Sequence, residues 1–103
     1  MTLPLSSSSY LALDWPLPSG VQACITTREG GISQGSFASL NLGDHVGDAP
    51  DAVAHNRAYL GTQIQHPVQW QRQVHGTEVV TLPQSEPCDA DAVYTATPGQ
   101  VCA

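Results

Sequence analysis

A single helix signal, set among several strand signals, is the feature that most limits what this chain can fold into. Asp48 is followed by Pro50 and Asp51. Such a combination starts helices, because the aspartate accepts free backbone N–H groups, proline suits the first turn and acidic side chains favour the helix dipole. The pattern predicts one helix over residues 48–60 that ends at Gly61.

The segments around this helix carry strand signals. Four of them are rich in β-branched residues or alternate in polarity, namely residues 21–27, 68–75, 78–82 and 91–95. In the first, Val21, Ala23 and Ile25 form one apolar face, which is typical of a half-buried strand. One helix among at least four strands predicts an α+β fold, in which a mixed β-sheet accompanies one main helix.

Arg28 lies where the first of these strands meets a glycine-rich stretch. Residues 29–39 hold three Gly and three Ser, which predicts a long loop whose backbone stays open to polar partners. A forked guanidinium at such a junction suits a phosphate or a carboxylate. A salt bridge from Arg28 to Glu29 or Asp44 is the alternative.

His75 is the best single candidate for a metal ligand or an acid–base group. It ends the predicted strand 68–75 and precedes a glycine, so the strand could aim its ring at a pocket. A surface or hydrogen-bonded histidine is the alternative. The four His form no H-x-H and no H-E-x-x-H motif, so local pairs cannot build a multicopper cluster or a zincin helix.

Two further pairs of polar residues leave alternatives open. Asp89 and Asp91 share one face of a strand and could act as paired carboxylates or lie on a solvated edge. Asn56 and Arg57 interrupt the apolar stripe of the helix and could line a site or brace the neighbouring loop. We favour bracing, because it explains the interruption without a substrate.

Charge and hydropathy exclude two classes of function. With three Arg, no Lys and a net charge of −6, the chain lacks the basic face that tracks nucleic acid phosphates. The longest apolar run is residues 10–13, far short of the ~20 residues that cross a bilayer. No basic, apolar secretion signal opens the sequence, so we expect a cytoplasmic protein. Three widely spaced Cys without a C-x-x-C pair predict reduced thiols.

The two ends of the sequence suggest its domain organisation. Residues 1–9 are rich in Ser and Pro, and we expect them to form a flexible leader. Residues 10–103 would then form a single domain. Because a new apolar segment opens after Gly99, this domain is expected to be truncated at its C-terminus.

Six short motifs occur in an order and spacing that resemble one known family. They are T-T-R-x-G-G-x-S at 26–33, S-L-N-L-G at 39–43, V-G-D at 46–48, N-R at 56–57, Q-V-H-G at 73–76 and A-D-A at 90–92. Together they resemble the YfiH family of laccase-domain proteins, from about residue 15 to the end of the chain. Each motif is weak alone, whereas six in sequence make a specific match.

The resemblance implies an α/β fold of about twice this length, of which this chain would be the N-terminal part. It also implies a zinc site made of His75, the Cys of a later A-D-C-x-P motif and a still later His. Cys102 precedes the expected position of that motif and is not assigned as a ligand. Copper, although attached to the family by name, fits poorly because H-x-H pairs are absent.

The activity implied for the family is phosphorolysis of adenosine, inosine and methylthioadenosine, with adenosine deamination beside it. A purine nucleoside and phosphate would be the partners, Arg28 the phosphate or substrate anchor and Asn41 a polar group of the pocket. Editing of peptidoglycan precursors by a hydrolase is an alternative function. A non-catalytic fragment with an exposed sheet edge, prone to dimerise or aggregate, is another.

Overall fold

The structure, a computed structural model, describes residues 8–103, which separate into two compact units. One unit ends at Ile64 and the other comprises Gln65–Ala103. No helix in the described range is long and apolar enough to cross a membrane. Most of the predicted leader lies outside the described residues. Its last two residues pair with Thr27, which donates from its backbone N to the Ser9 carbonyl (2.9 Å) and from Oγ1 to the Ser8 carbonyl (2.5 Å).

The first unit contains a two-stranded antiparallel sheet, a short 3-10 helix and the helix predicted from the sequence. Its strands are β1 (Tyr10–Ala12) and β2 (Cys24–Thr26), and the 3-10 helix is Gly35–Phe37. The α-helix, α1, is Pro50–Ile64. Its buried positions carry Val53, Asn56 and Leu60, so a buried amide sits between two apolar side chains on the inner face.

The predicted helix end at Gly61 is wrong, since α1 continues through Gly61 to Ile64. Glycine in a helix costs only about 1 kcal/mol relative to alanine, which weakens a helix without ending it. The chain leaves the helix at Gln65, whose φ of 66° is left-handed. Pro67 disfavours helical backbone at His66, the residue before it. The helix therefore ends before the His66–Pro67 pair and not at Gly61.

The predicted apolar face of the first strand does not face inward. Ile25 is 53% exposed, and Leu11, its direct partner across the β1–β2 pair, is 60% exposed. Cys24 and Thr26 are half-buried instead, and burial raises the pKa of the Cys24 thiol. The predicted strand over residues 21–27 is therefore wrong outside Cys24–Thr26, and within these three residues the covered face is the one that carries Cys24 and Thr26.

The second unit contains two parallel pairs of strands. The strands are β3 (Val68–Gln69), β4 (Val79–Leu82), β5 (Ala92–Thr95) and β6 (Val101–Cys102). β3 pairs with β6, and β4 pairs with β5. Leu82 and Ala90 are its buried apolar residues. The predicted α+β class is confirmed, with the described strands distributed over three two-stranded sheets.

The predicted strand over residues 68–75 is wrong beyond its first two residues. Only Val68 and Gln69 lie in a strand, and Arg72 adds an isolated bridge to Asp89. The pairing with β6 covers only Val68 and Gln69. His75 therefore lies in a turn, with a left-handed φ of 56°.

Candidate functional site

A cleft in the first unit brings together two of the residues selected from the sequence. Its volume is about 350 Å³, and Arg28 and Asn41 both line it. The other lining residues are Thr26, Ser36, Phe37, Ala38, Leu40 and Leu42. The walls thus come from the end of β2, the turn around the 3-10 helix and the segment that follows it.

Arg28 closes one side of this cleft by holding a turn. Its Nε donates to the Ala38 carbonyl at 2.7 Å and its Nη2 to the Ser36 carbonyl at 3.4 Å. Neither Glu29 nor Asp44, the acids considered as its salt-bridge partners, forms an ion pair with it in the described part of the chain. A guanidinium has five N–H donors, so the side chain keeps donors for an anion.

The glycine-rich loop uses its backbone amides internally. The N–H groups of Gly30 and Gly31 donate to Ser39 Oγ at 3.1 and 3.3 Å. The Ile32 N–H donates to Asn56 Oδ1 at 2.9 Å, and the Ser33 N–H donates to the Ser39 carbonyl, also at 2.9 Å. Because these donors already have partners, this stretch is a braced loop and not an open cradle for phosphate.

Asn56 is the centre of that bracing. The side chain is fully buried, and its Nδ2 donates to Ser33 Oγ (2.9 Å), the Asn41 carbonyl (2.9 Å) and the Ser39 carbonyl (3.3 Å). Arg57 adds a bond from Nε to the Leu42 carbonyl at 2.8 Å. The preferred interpretation of this pair as a brace is confirmed.

Asp48 links the start of the helix to the cleft wall. Its Oδ2 accepts from Ser33 Oγ at 2.6 Å and from Asn41 Nδ2 at 3.2 Å, and its Oδ1 accepts from the Ala49 N–H at 2.8 Å. The bond from Ser33 is the main reason that the pKa of Asp48 lies below its ordinary value. Bonds from Asn41 and Ala49 act in the same direction, against the opposing effect of burial.

Asn41 is therefore a braced residue at the cleft. Its Nδ2 also donates to the Gly43 carbonyl, and its Oδ1 accepts from the Gly43 N–H, both at 3.1 Å. These bonds fix the orientation of the amide, because the nitrogen faces two acceptors and the oxygen a donor. The cleft thus has one side chain with cationic donors and one with a fixed carbonyl oxygen.

His75 belongs to the second unit, in the turn of residues 74–76, and is exposed. The carboxylate of Asp91 accepts three successive N–H groups of this turn. Oδ1 accepts from Val74 (3.1 Å) and His75 (2.6 Å), and Oδ2 accepts from Gly76 (2.7 Å). Burial raises the pKa of Asp91, but the bonds from these three residues and the attraction of His75 outweigh it and leave the pKa lowered.

Asp89 and Asp91 do not act as a pair. Asp89 Oδ1 lies 2.5 Å from Arg72 Nε in an exposed ion pair, whereas Asp91 serves the turn of His75. The sequence predicted only paired carboxylates or a solvated edge for Asp91, because the groups that donate to it are backbone N–H groups, which every residue except proline supplies. The proximity of 74–76 to Asp91 follows only from the fold.

The residues described here do not make up a complete zinc site. No group of three or more His, Cys, Asp or Glu side chains lies close enough to hold a metal ion within residues 8–103. A structural or catalytic zinc takes three or four protein ligands. His75 could supply one of them. All three cysteines are free thiols, as predicted.

Comparison with known proteins matches most of the chain to one family. A family model described as multi-copper polyphenol oxidoreductase laccase matches residues 22–103. A Pseudomonas aeruginosa protein named purine nucleoside phosphorylase is 47% identical over 95 residues, covering 92% of this chain and 39% of that protein. The Escherichia coli purine nucleoside phosphorylase YfiH is 48% identical over 102 residues, covering 93% and 41%. The resemblance to the YfiH family is confirmed.

Solved structures show the same fold. The crystal structure of a Neisseria meningitidis protein matches with a TM-score of 0.81 at 45% identity, over 89% of this chain and 39% of that one. The structure of YlmD from Geobacillus stearothermophilus matches with a TM-score of 0.78 at 31% identity, over 93% and 41%. The chain thus spans about two-fifths of the length of each of these four proteins.

Proposed function

The chain belongs to the family described as multi-copper polyphenol oxidoreductase laccase, and we propose that it forms part of a purine nucleoside phosphorylase. The shared name of the Pseudomonas and Escherichia relatives supports this proposal. The substrates proposed are adenosine, inosine and methylthioadenosine together with inorganic phosphate. Because the chain spans only about two-fifths of those relatives, the activity is proposed for a protein that contains this chain.

The placement of Arg28 in the cleft is the observation that carries the proposal. In phosphorolysis a phosphate oxygen attacks the anomeric carbon of the sugar while the bond to the purine nitrogen breaks, and the purine leaves with that electron pair and takes up a proton. The phosphate must be held against a cation-like transition state. Arg28 has two N–H bonds to backbone carbonyls that orient its guanidinium, and its remaining donors suit an oxyanion.

Asn41 would act on the nucleoside. Both of its amide donors already have acceptors, and Oδ1 accepts one bond from the Gly43 N–H. A carbonyl oxygen has two lone pairs, so Oδ1 can accept a further bond from a sugar hydroxyl or a purine amine. Because Asp48 and Gly43 fix the amide, this acceptor is oriented before substrate binds.

We also propose zinc as the cofactor, with His75 as one ligand and the others supplied by parts of the protein outside this chain. Adenosine deamination is proposed as a second activity and the cytoplasm as the location. The motif Q-V-H-G at 73–76 supports the assignment of His75. Copper is set aside because the sequence has no H-x-H pair.

The experiment is phosphate-dependent release of hypoxanthine from inosine. It compares the 103-residue chain with a chimera in which the remaining part of the Pseudomonas relative follows it. We expect turnover only in the chimera, and only with phosphate present. Arg28→Gln should raise the KM for phosphate about tenfold or more, as expected for loss of a charge-assisted contact.

Arg72→Gln is the matched control, since Arg72 forms an exposed ion pair outside the cleft. Circular dichroism of each variant would confirm that folding is retained. Turnover without phosphate would identify a hydrolase and overturn the proposal. An unchanged KM for phosphate in folded Arg28→Gln would remove Arg28 as the anchor.

A further inference from the structure

We propose that Asp91 is the positioning residue of His75, fixing the backbone of the turn from which the imidazole projects. This role rests on the function proposed for His75 above. The carboxylate lies in a concavity of three successive backbone N–H groups, those of Val74, His75 and Gly76, at 3.1, 2.6 and 2.7 Å. Successive backbone N–H groups of this kind form a natural anion site, and here the anion is a side chain of the same protein.

The turn requires such an anchor because its backbone is unfavourable without one. His75 has a φ of 56°, a left-handed conformation that residues with a Cβ adopt rarely and that persists when the surroundings impose it. No regular strand holds this turn, since β3 ends at Gln69. The backbone conformation of His75 sets the direction of its Cα–Cβ bond. The residue that holds the turn therefore also sets the point and direction from which the imidazole extends.

Asp91 is itself held firmly enough to act as an anchor. Its backbone N–H donates to the Glu78 carbonyl at 3.0 Å, and the Ala92 N–H donates to the same oxygen at 3.3 Å. Asp91 thereby stands at the junction where β5 (Ala92–Thr95) begins beside β4 (Val79–Leu82). The position of His75 is in this way tied to the β4–β5 pair.

Asp89 provides the contrast within the same segment. Its carboxylate also makes a short contact, but to the Arg72 side chain and not to the turn. Asp91→Asn removes the charge while keeping one oxygen acceptor, and Asp91→Ala removes both acceptors. Asp89→Asn is the matched control, because it changes a nearby carboxylate that contacts Arg72 and not the turn.

The test uses NMR on the 103-residue chain and needs no turnover. In the unsubstituted chain we expect scalar couplings across hydrogen bonds from the amide nitrogens of His75 and Gly76 to the Asp91 side-chain carbon. We also expect a three-bond coupling between the amide and Hα protons of His75 that corresponds to its φ of 56°. In Asp91→Asn the amide hydrogens of His75 and Gly76 should exchange with solvent about tenfold faster or more. In Asp91→Ala their exchange should be faster again. The amide–Hα coupling of His75 should become averaged, and Asp89→Asn should change neither.

Two outcomes would overturn the proposal. One is the absence of those couplings in the unsubstituted chain when its dispersed amide spectrum shows that it is folded, a result that does not depend on the folding of any variant. The other is a His75 backbone whose amide–Hα coupling is unchanged in folded Asp91→Ala. Because neither readout depends on phosphorolysis, failure of the phosphorylase assay leaves this test standing, and failure of this test leaves that assay standing.

Discussion

The side-chain nitrogen of Asn56 lies 2.9 Å from the backbone oxygen of Asn41, and this bond joins the helix to the wall of the cleft. The same buried amide reaches the loop that begins after Arg28, through Ile32 and Ser39. A polar side chain at the centre of the helix's inner face is costly unless all of its groups are paired. Here the pairing makes it the element that holds loop, helix and cleft wall together.

Asn56→Ala should be strongly destabilising. It would leave the Ile32 N–H and the carbonyls of Ser39 and Asn41 without this partner, and each buried group left unsatisfied costs about 1–3 kcal/mol. We expect a loss of about 2–4 kcal/mol in the free energy of unfolding, measured by urea denaturation. His55→Ala, at the exposed neighbouring position, is the control and should cost less than about 0.5 kcal/mol.

Stability should fall in acid through Asp48. Its pKa in the folded chain is lowered from 3.8, chiefly by the bond from Ser33, so the folded state binds its proton less readily than the unfolded state. The stabilisation is therefore complete above the ordinary value and is lost as the pH falls through the lowered pKa. Asp48→Asn should flatten this part of the pH profile of urea midpoints.

The elements predicted from sequence were those specified by local chemistry. The helix start followed from Asp48 and Pro50, and the β4 and β5 segments from their residue types between prolines. Arg28 was predicted from its place between a strand and a glycine-rich stretch, and Asn41 from the family resemblance. The brace formed by Asn56 was indicated only by the interruption of the apolar stripe of the helix. The role of Asp91 could not be predicted, because it depends on contacts between a side chain and backbone groups distant in sequence.

Two glycine substitutions should have opposite effects on stability. A Cβ at Gly31 would overlap the Ser39 carbonyl, Asn56 Oδ1 and the Leu40 Cα, which are parts of the brace. We expect Gly31→Ala to lower the free energy of unfolding by about 1–3 kcal/mol, as overpacking does. Gly61→Ala lies in α1 with open space around it and should raise stability by up to about 1 kcal/mol. Thermal unfolding of both variants measures the two effects. A change in stability of the same sign in both variants would contradict this account.

The exposed pair Leu11 and Ile25 should promote self-association of the isolated chain. The two side chains are direct partners across β1 and β2 and are 60% and 53% exposed, and together they form an apolar patch on a two-stranded sheet. Replacing both with Thr keeps strand-favouring residues and removes apolar surface. Sedimentation velocity should show less association for this variant. Val46→Thr, exposed outside the sheet, is the control, and an equal reduction there would point to general hydrophobicity.

Loss of the Asp91 carboxylate should affect turnover more than substrate binding. If His75 is a metal ligand or a reacting group in the chimera, displacement of its turn lowers the stabilisation of the transition state. The cleft that contains Arg28 and Asn41 is not changed by this substitution. We expect Asp91→Asn to lower kcat by about 10–100-fold, the range for residues that orient a metal ligand, with little change in the KM for phosphate. Asp89→Asn should leave both constants within about twofold, because exposed ion pairs contribute little. A rise in the phosphate KM with unchanged kcat would instead place Asp91 in phosphate binding, and the carboxylate would then no longer serve only to present His75.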